Sequence, residues 1–180
     1  MQQITIDEEF KSLLPALDKE TYETLEANLI QNGCRDSIVL WNGILIDGYN
    51  RYEICTKHEI PFNTINKEFA TREAALIWII TNQLSRRNLT PLQASHYRGL
   101  HYMADKKIQG TYERNTEETE SGQNDHFQIS TAGRLSKQYN VSPKTIRRDA
   151  KVAEAIDAIG KASPEAKKPE LGLSPNPAHI

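Results

Sequence analysis

Two cysteines, two methionines and two tryptophans are all that this 180-residue chain carries of those types. Cys34 and Cys55 have neither CxxC spacing nor a flanking histidine pattern. That argues against a zinc-ribbon site and a disulfide framework, and makes a cytoplasmic protein with reduced thiols the expectation. Long apolar runs are missing too. The longest, Ala74 to Ile80, falls far short of the roughly 18 residues a membrane span needs and reads as a buried helix. The opening MQQITIDEEF has no positive n-region followed by an apolar core, so no signal peptide is expected. Nor is there an excess of positive charge: the net charge is -2, so any nucleic-acid binding must come from cations segregated in one place. The five histidines are scattered. His101 and Asp105 share a helix face, but two ligands make no metal site, and a structural role is the expectation.

What is present is 38% hydrophobic and 26% charged residues, enough for one or two small domains with exposed polar connections. Ile4 and Ile6 alternate with polar residues as a short strand would, and Phe10, Leu13 and Leu14 follow as packing residues. Asp18 is placed to cap a helix with Tyr22, Leu25 and Leu29 on one stripe, ended by Asn32-Gly33. Ser37–Trp41, Asn42-Gly43 and Ile44–Asp47 read as strand, type I′ turn and strand, the strongest hairpin signal in the chain. A helix from Tyr49 to Lys57 and a strand from Pro61-Phe62 to about Phe69 come next. Thr71 caps the apolar helix, and Thr90-Pro91-Leu92-Gln93 is a capping box opening a helix to about Lys106. Cys34, Trp41 and Trp78 are expected to be packing residues.

The expected division is therefore an α/β domain over 1–70, a helical segment over 71–106, a polar linker over 107–128, a helix-turn-helix over 129–160 and a disordered tail over 161–180. The helix-turn-helix reading rests on several coincident signals. Ala132, Leu135 and Tyr139 recur on one side of a short helix that begins near Thr131. Asn140 suits the left-handed conformation of a helix stop, and Val141 plugs the turn. Ser142 is a good N-cap and Pro143 fits the first helical position. Lys144, Arg147, Arg148 and Lys151 then share one helix face, with Ile146, Ala150 and Ala153 on the other. An apolar back and a cationic front after a tight turn suit a major-groove reader, with Ser142, Lys144, Thr145, Arg147, Arg148 and Lys151 as the candidate DNA contacts. Glu113 to Asp125 is locally acidic, so the cations are indeed segregated.

Two further clusters are candidates for ligand chemistry. In Asp47-Gly48-Tyr49-Asn50-Arg51 a strand ends, Gly permits a close turn, and a helix begins. Free N–H groups at a helix N-terminus with an adjacent Arg form a phosphate cradle. The bland reading is a plain turn with Arg51 in solvent. In Asn82-Gln83-Leu84-Ser85-Arg86-Arg87 two amides and two cations sit at the junction of two helices, which suits either a ligand site or a solvated turn.

In order and spacing these elements resemble the ParB family of chromosome and plasmid partition proteins, in particular shorter ParB-like proteins of mobile elements. Gly33 with Arg35 stands at the first family element. Gly48-Tyr49-Asn50-Arg51 stands at the Gly-Glu-Arg-Arg phosphate motif and keeps its Gly and last Arg. Asn82-Gln83-Leu84-Ser85-Arg86 stands at the Glu-Asn-x-x-Arg segment, with Leu89-Thr90-Pro91-Leu92-Gln93-Ala94 after it. The resemblance implies a ParB/sulfiredoxin-like α/β domain followed by an all-α helix-turn-helix domain. It also implies CTP with Mg²⁺ as a switch for clamping on double-stranded DNA, a partition ATPase as partner, and a cytoplasmic location on nucleoid or plasmid. The nucleotide contacts it implies are Gly33, Arg35, Gly48, Tyr49, Asn50, Arg51, Asn82, Gln83 and Arg86.

The departures are specific. Tyr49 and Asn50 replace an acidic residue and an Arg of the phosphate motif. Asn82 stands where the family has a Glu that helps hold Mg²⁺, and a neutral amide is a poorer ligand for that ion, which argues against hydrolysis. The stretch after Gly160 does not match the dimerisation domain of full-length family members; a homodimer is expected by analogy, because helix-turn-helix readers usually pair half-sites. Sulfiredoxins share the fold, but their Gly-Cys-His-Arg motif is matched here without its thiol. The alternative function is a ParB-fold enzyme, a nuclease or small-molecule phosphotransferase, with Asp47 and Glu53 as its candidate carboxylates.

Overall fold

A computed structural model describes residues 4–14, 17–85, 89–116 and 130–162. These fall into two compact units that divide between Ala70 and Thr71.

The first unit is built around the expected hairpin. β1 (Ile38–Trp41) and β2 (Ile44–Asp47) pair antiparallel across Asn42 and Gly43, both at positive φ as a type I′ turn demands. β3 (Thr64–Asn66) pairs parallel to β1, giving the order β2-β1-β3. The register places Val39 opposite Asp47 and Leu40 opposite Leu45, so Ile46 is an extra residue in β2. This bulge lets two successive side chains, Leu45 and Ile46, both be buried, and it lies beside the turn into the next helix.

Among the described residues, three helices complete the unit. α1 (Glu8–Ser12) is capped by Asp7, whose carboxylate accepts from the Phe10 N–H at 3.1 Å. α2 (Lys19–Asn32) is capped by Asp18, which accepts from the Thr21 N–H at 2.8 Å. α3 runs over Tyr49–Lys57. Ile38, Leu40, Leu45 and Tyr49 form one core, Leu29, Ile54 and Cys55 a second. Trp41 is buried and donates its indole N–H to the Phe69 carbonyl at 3.1 Å, while its ring lies 6.2 Å from that of Phe10.

Three expectations in this unit need correction. The N-terminal strand is a single bridge at Thr5, which donates to the Gly43 carbonyl and accepts from Leu45; Asp7 then caps a helix at once. That short helix was not foreseen from sequence. The third strand is three residues rather than the stretch 61–69, and all three are exposed, as befits a short edge.

The second unit is helical: α4 (Arg72–Leu84), α5 (Pro91–Thr116), α6 (Thr131–Gln138) and α7 (Pro143–Ala162). Thr71 caps α4 through its hydroxyl, 3.1 Å from the Ala74 N–H. The capping box of α5 closes in both directions: the Thr90 N–H donates to Gln93 Oε1 at 2.8 Å and the Gln93 N–H to Thr90 Oγ1 at 3.2 Å. α5 is the spine, packing against α4, α6 and α7.

One correction follows here. The polar stretch from Lys107 was expected to be a linker, but α5 continues through it to Thr116. Ala104 is buried and Ile108 half-buried, so the apolar stripe persists, and Gln109 accepts a hydrogen bond from Thr131 at the start of α6. The described residues of 71–106 and 129–160 lie in one compact unit. The rest of the expected linker, 117–128, and the tail beyond Ala162 lie outside the described residues. No helix among the described residues is long and apolar enough to cross a membrane.

Candidate functional site

The turn expected at the start of α3 is made by five consecutive residues. β2 delivers Asp47, and Gly48 turns the chain in the left-handed region at φ 93° and ψ 24°. Gly48 occupies the N-cap of α3 with no side-chain cap, so the first helical N–H groups are left for another partner. Arg51 folds back over this turn: a Cβ placed on Gly48 would lie 3.1 Å from Arg51 Nη2. Gly48 is thus called for by its backbone conformation, and a side chain there would also press on the cation above it.

The guanidinium is held loosely. Its Nη2 is 3.6 Å from Asp47 Oδ2, an ion pair but not a hydrogen bond. Its Nε is buried and has no hydrogen-bond partner among the described residues. A half-buried guanidinium with an unspent donor, beside an uncapped helix N-terminus, suits an oxyanion. Tyr49 takes no part through its side chain, which is buried and donates its hydroxyl to the Leu45 carbonyl. Burial also pushes that phenol well above its ordinary pKa, so it stays neutral. Asn50 is half-buried.

Gly33 ends α2 at φ 73°, with open space where a Cβ would go, so its backbone conformation alone calls for glycine. Arg35, two residues on, is exposed. The thiol of Cys55, on the buried side of α3, has its pKa pushed up to about 11 chiefly by burial and secondarily by the neighbouring Cys34 thiol, so it is a packing residue rather than a nucleophile. The two carboxylates of the enzyme reading have other partners: Asp47 pairs with Arg51, and Glu53 accepts from the Tyr22 hydroxyl at 3.3 Å.

Asn82 and Gln83 belong to the second unit, in the last turn of α4. Asn82 is half-buried; Gln83 is 1% exposed, and its Oε1 has no hydrogen-bond partner among the described residues. Arg86 and Arg87 lie outside the described residues.

The basic face lies on α7. The Ser130 hydroxyl caps α6, accepting from the Gly133 N–H at 3.2 Å. Asn140 sits at φ 52°, the left-handed stop, and the Val141 N–H closes the turn onto the Ser136 carbonyl at 3.0 Å. The Ser142 hydroxyl caps α7 by accepting from the Thr145 N–H at 3.0 Å, and Pro143 takes the first helical position. Ala132, Leu135 and Ile146 form a core with Tyr102, Tyr139 and Val141 around it. Lys144, Arg147, Arg148 and Lys151 are all exposed, Thr145 is half-buried, and Ile146, Ala150 and Ala153 are buried. The two faces expected from sequence are therefore the ones the fold makes.

Sequence reasoning missed what holds this face in place. Asp149, in the middle of the cations, is 0% exposed and accepts from Ser95 and Arg98 of α5. His101 and Asp105 are also buried, with structural roles: His101 meets the Tyr139 hydroxyl, and Asp105 pairs with Arg134. Burial, with a smaller push from the Arg134 charge, lowers the His101 pKa to about 4, so the ring is neutral at pH 7.

A small mixed sheet ordered β2-β1-β3, a glycine turn into α3 and a four-helix unit after it together define a ParB-type N-terminal domain fold. Two solved structures of a pNOB8-like ParB N-domain carry this comparison. One, in a C2221 form, matches at a TM-score of 0.57 and 21% identity over 91% of this chain and 68% of its own. The other matches at 0.57 and 22% over 93% of this chain and 65% of its own. The chain thus spans about two thirds of the length of these structures. No family model matches the chain, and no curated protein sequence does.

Proposed function

We propose that this chain is a ParB-like DNA-binding protein of the partition type, cytoplasmic and associated with nucleoid or plasmid. α6 and α7 act as a helix-turn-helix, and the first unit takes up a nucleotide. The observation that carries the reading is the division of α7: four exposed cations on one face, and Ile146, Ala150 and Ala153 buried on the other. Such a helix, preceded by a tight capped turn, can enter a major groove and meet phosphates on either side. The likeness to ParB N-domains supports the same reading at the level of fold. A homodimer is the expected working form, since paired helices read paired half-sites.

For the nucleotide, the residues present fit a phosphate: Gly48 leaves room that any Cβ would take, and Arg51 Nε is a buried donor without a partner among the described residues. Arg51 and the backbone N–H groups at the start of α3 would hold it. CTP with Mg²⁺ is the candidate suggested by the motif order, with Arg35 as a further contact within the same unit. The substitution of a family Glu by Asn82 favours binding without efficient turnover.

Two experiments test these parts separately. Arg147→Ala should weaken duplex binding and reduce the slope of log K against log salt by about 0.9, one phosphate's worth of counterions. An unchanged affinity in a folded variant removes α7 as the DNA-binding element. Calorimetric titration with CTP and Mg²⁺, with ATP as control, should show binding in the wild type and none in Arg51→Ala. Equal binding in both would place the nucleotide elsewhere.

A further inference from the structure

We propose that Asp149 is a positioning residue for the basic face of α7, latched by Ser95 and Arg98 and permitted by Gly99. The inference rests on the DNA-binding reading of α7. Asp149 stands in sequence between Arg148 and Ala150, yet its carboxylate is fully buried. A buried carboxylate is costly unless both oxygens are satisfied. Here both are: Ser95 Oγ donates to Oδ1 at 2.6 Å, and Arg98 Nε donates to Oδ2 at 2.7 Å.

The geometry is directional where apolar packing is not. At 3.6 residues per turn, Asp149 lies about 150° around α7 from the centre of the arc formed by Lys144, Arg147, Arg148 and Lys151. Pinning Asp149 to α5 therefore turns the cations away from α5. Ser95, Arg98 and Gly99 are spaced i, i+3, i+4 and share one face of α5. Gly99 makes the approach possible: a Cβ there would lie 2.2 Å from the Asp149 carbonyl oxygen and 2.9 Å from Ala153 Cβ. The helices are thus held by a backbone contact and a charged fork at the same point. That combination fixes both the rotation and the axial register of α7, the use for which buried ion pairs are best suited.

Charge and position predict opposite signs in one variant. Asp149→Asn removes a negative charge from a DNA-binding helix, which by electrostatics alone tightens DNA binding. If Asp149 positions the basic face, the same change weakens it. The experiment measures random-sequence duplex affinity across a salt series for the wild type, Asp149→Asn and Ser95→Ala, well below each variant's unfolding temperature. The expected result for Asp149→Asn is a roughly tenfold loss of affinity, with a slope flatter by about 0.9 or more as phosphate contacts are lost. Ser95→Ala keeps all charges and should weaken binding less, in the same direction; it decides the matter if Asp149→Asn does not fold. Folded variants that bind as tightly as wild type or tighter, with the same slope, overturn the proposal while leaving the DNA reading intact. A wild-type protein that does not bind duplex at low salt instead overturns that reading and the proposal with it.

Discussion

The two units organise their candidate sites in different ways. In the α/β unit the cradle is local: Asp47 to Arg51 are consecutive, and the hairpin, the glycine turn and the helix start that shape it all lie within a few residues. In the helical unit the basic face is local in sequence but its support is not. Asp149 reaches back 54 residues to Ser95 and 51 to Arg98, and Tyr139 reaches 38 to His101. A site of the first kind shows in the order of its residues. For a site of the second kind, sequence shows the working surface and hides what aims it.

Four changes probe that contrast, the destabilising ones first and from the largest expected effect down. Gly99→Ala forces α5 and α7 apart, because its methyl would overlap the Asp149 backbone at 2.2 Å. Overpacking of this severity costs about 3 kcal/mol. Amide hydrogen exchange in α5 and α7 should accelerate while that in β1, β2 and α3 is unchanged; equal protection in α5 and α7 would deny the close crossing.

His101 gives the next effect. Its pKa is lowered from 6.5 to about 4 in the folded chain, so below pH 6.5 the unfolded chain takes up a proton that the folded chain does not. Stability contributed by the neutral ring is complete above pH 6.5 and falls as pH drops towards 4, by at most about 1.4 kcal/mol per pH unit. Thermal melts across this window should show the decline in the wild type and a shallower one in His101→Asn. By contrast, Glu26 in the first unit is held below its usual pKa by Lys57 and His58 at an exposed site, and Glu26→Gln should leave stability nearly unchanged.

The last change has the opposite sign. Gly110 lies on the same helix as Gly99, with no atom of the described residues within 4 Å of where its Cβ would stand. Gly110→Ala should stabilise the chain by about 0.5–1 kcal/mol through helix propensity alone. A loss comparable to that of Gly99→Ala would mean that replacing any glycine of α5 is costly, so that the Gly99 result would not report the crossing.

Much of the fold was legible because its signals are local. Asn42-Gly43 sets the hairpin, Asp18, Thr71 and Thr90 set three helix starts, and Asn140 with Ser142-Pro143 sets the turn before α7. The failures were of two physical kinds. The stretch after Lys107 reads as a loop by composition, yet the apolar stripe through Ala104 and Ile108 and the contact from Gln109 to Thr131 carry the helix on. Tertiary context there overrides weak local preference. The burial of Asp149 was illegible for a related reason: a carboxylate among cations reads as a solvated surface charge. Its one visible signal was its phase on the helix, which puts it with Ile146, Ala150 and Ala153 rather than with the arginines. A charged residue on an apolar stripe announces a buried partner, and Arg98 is that partner.

The account turns on α7 as a phosphate-contacting surface, and the salt dependence of duplex binding tests that most directly. Four engaged cations predict a slope of log K against log salt near about -3.6 for each copy bound. Replacing Lys144, Arg147, Arg148 and Lys151 together by alanine should abolish most of both the affinity and the slope. An affinity and slope that survive this replacement in a folded protein would contradict the account.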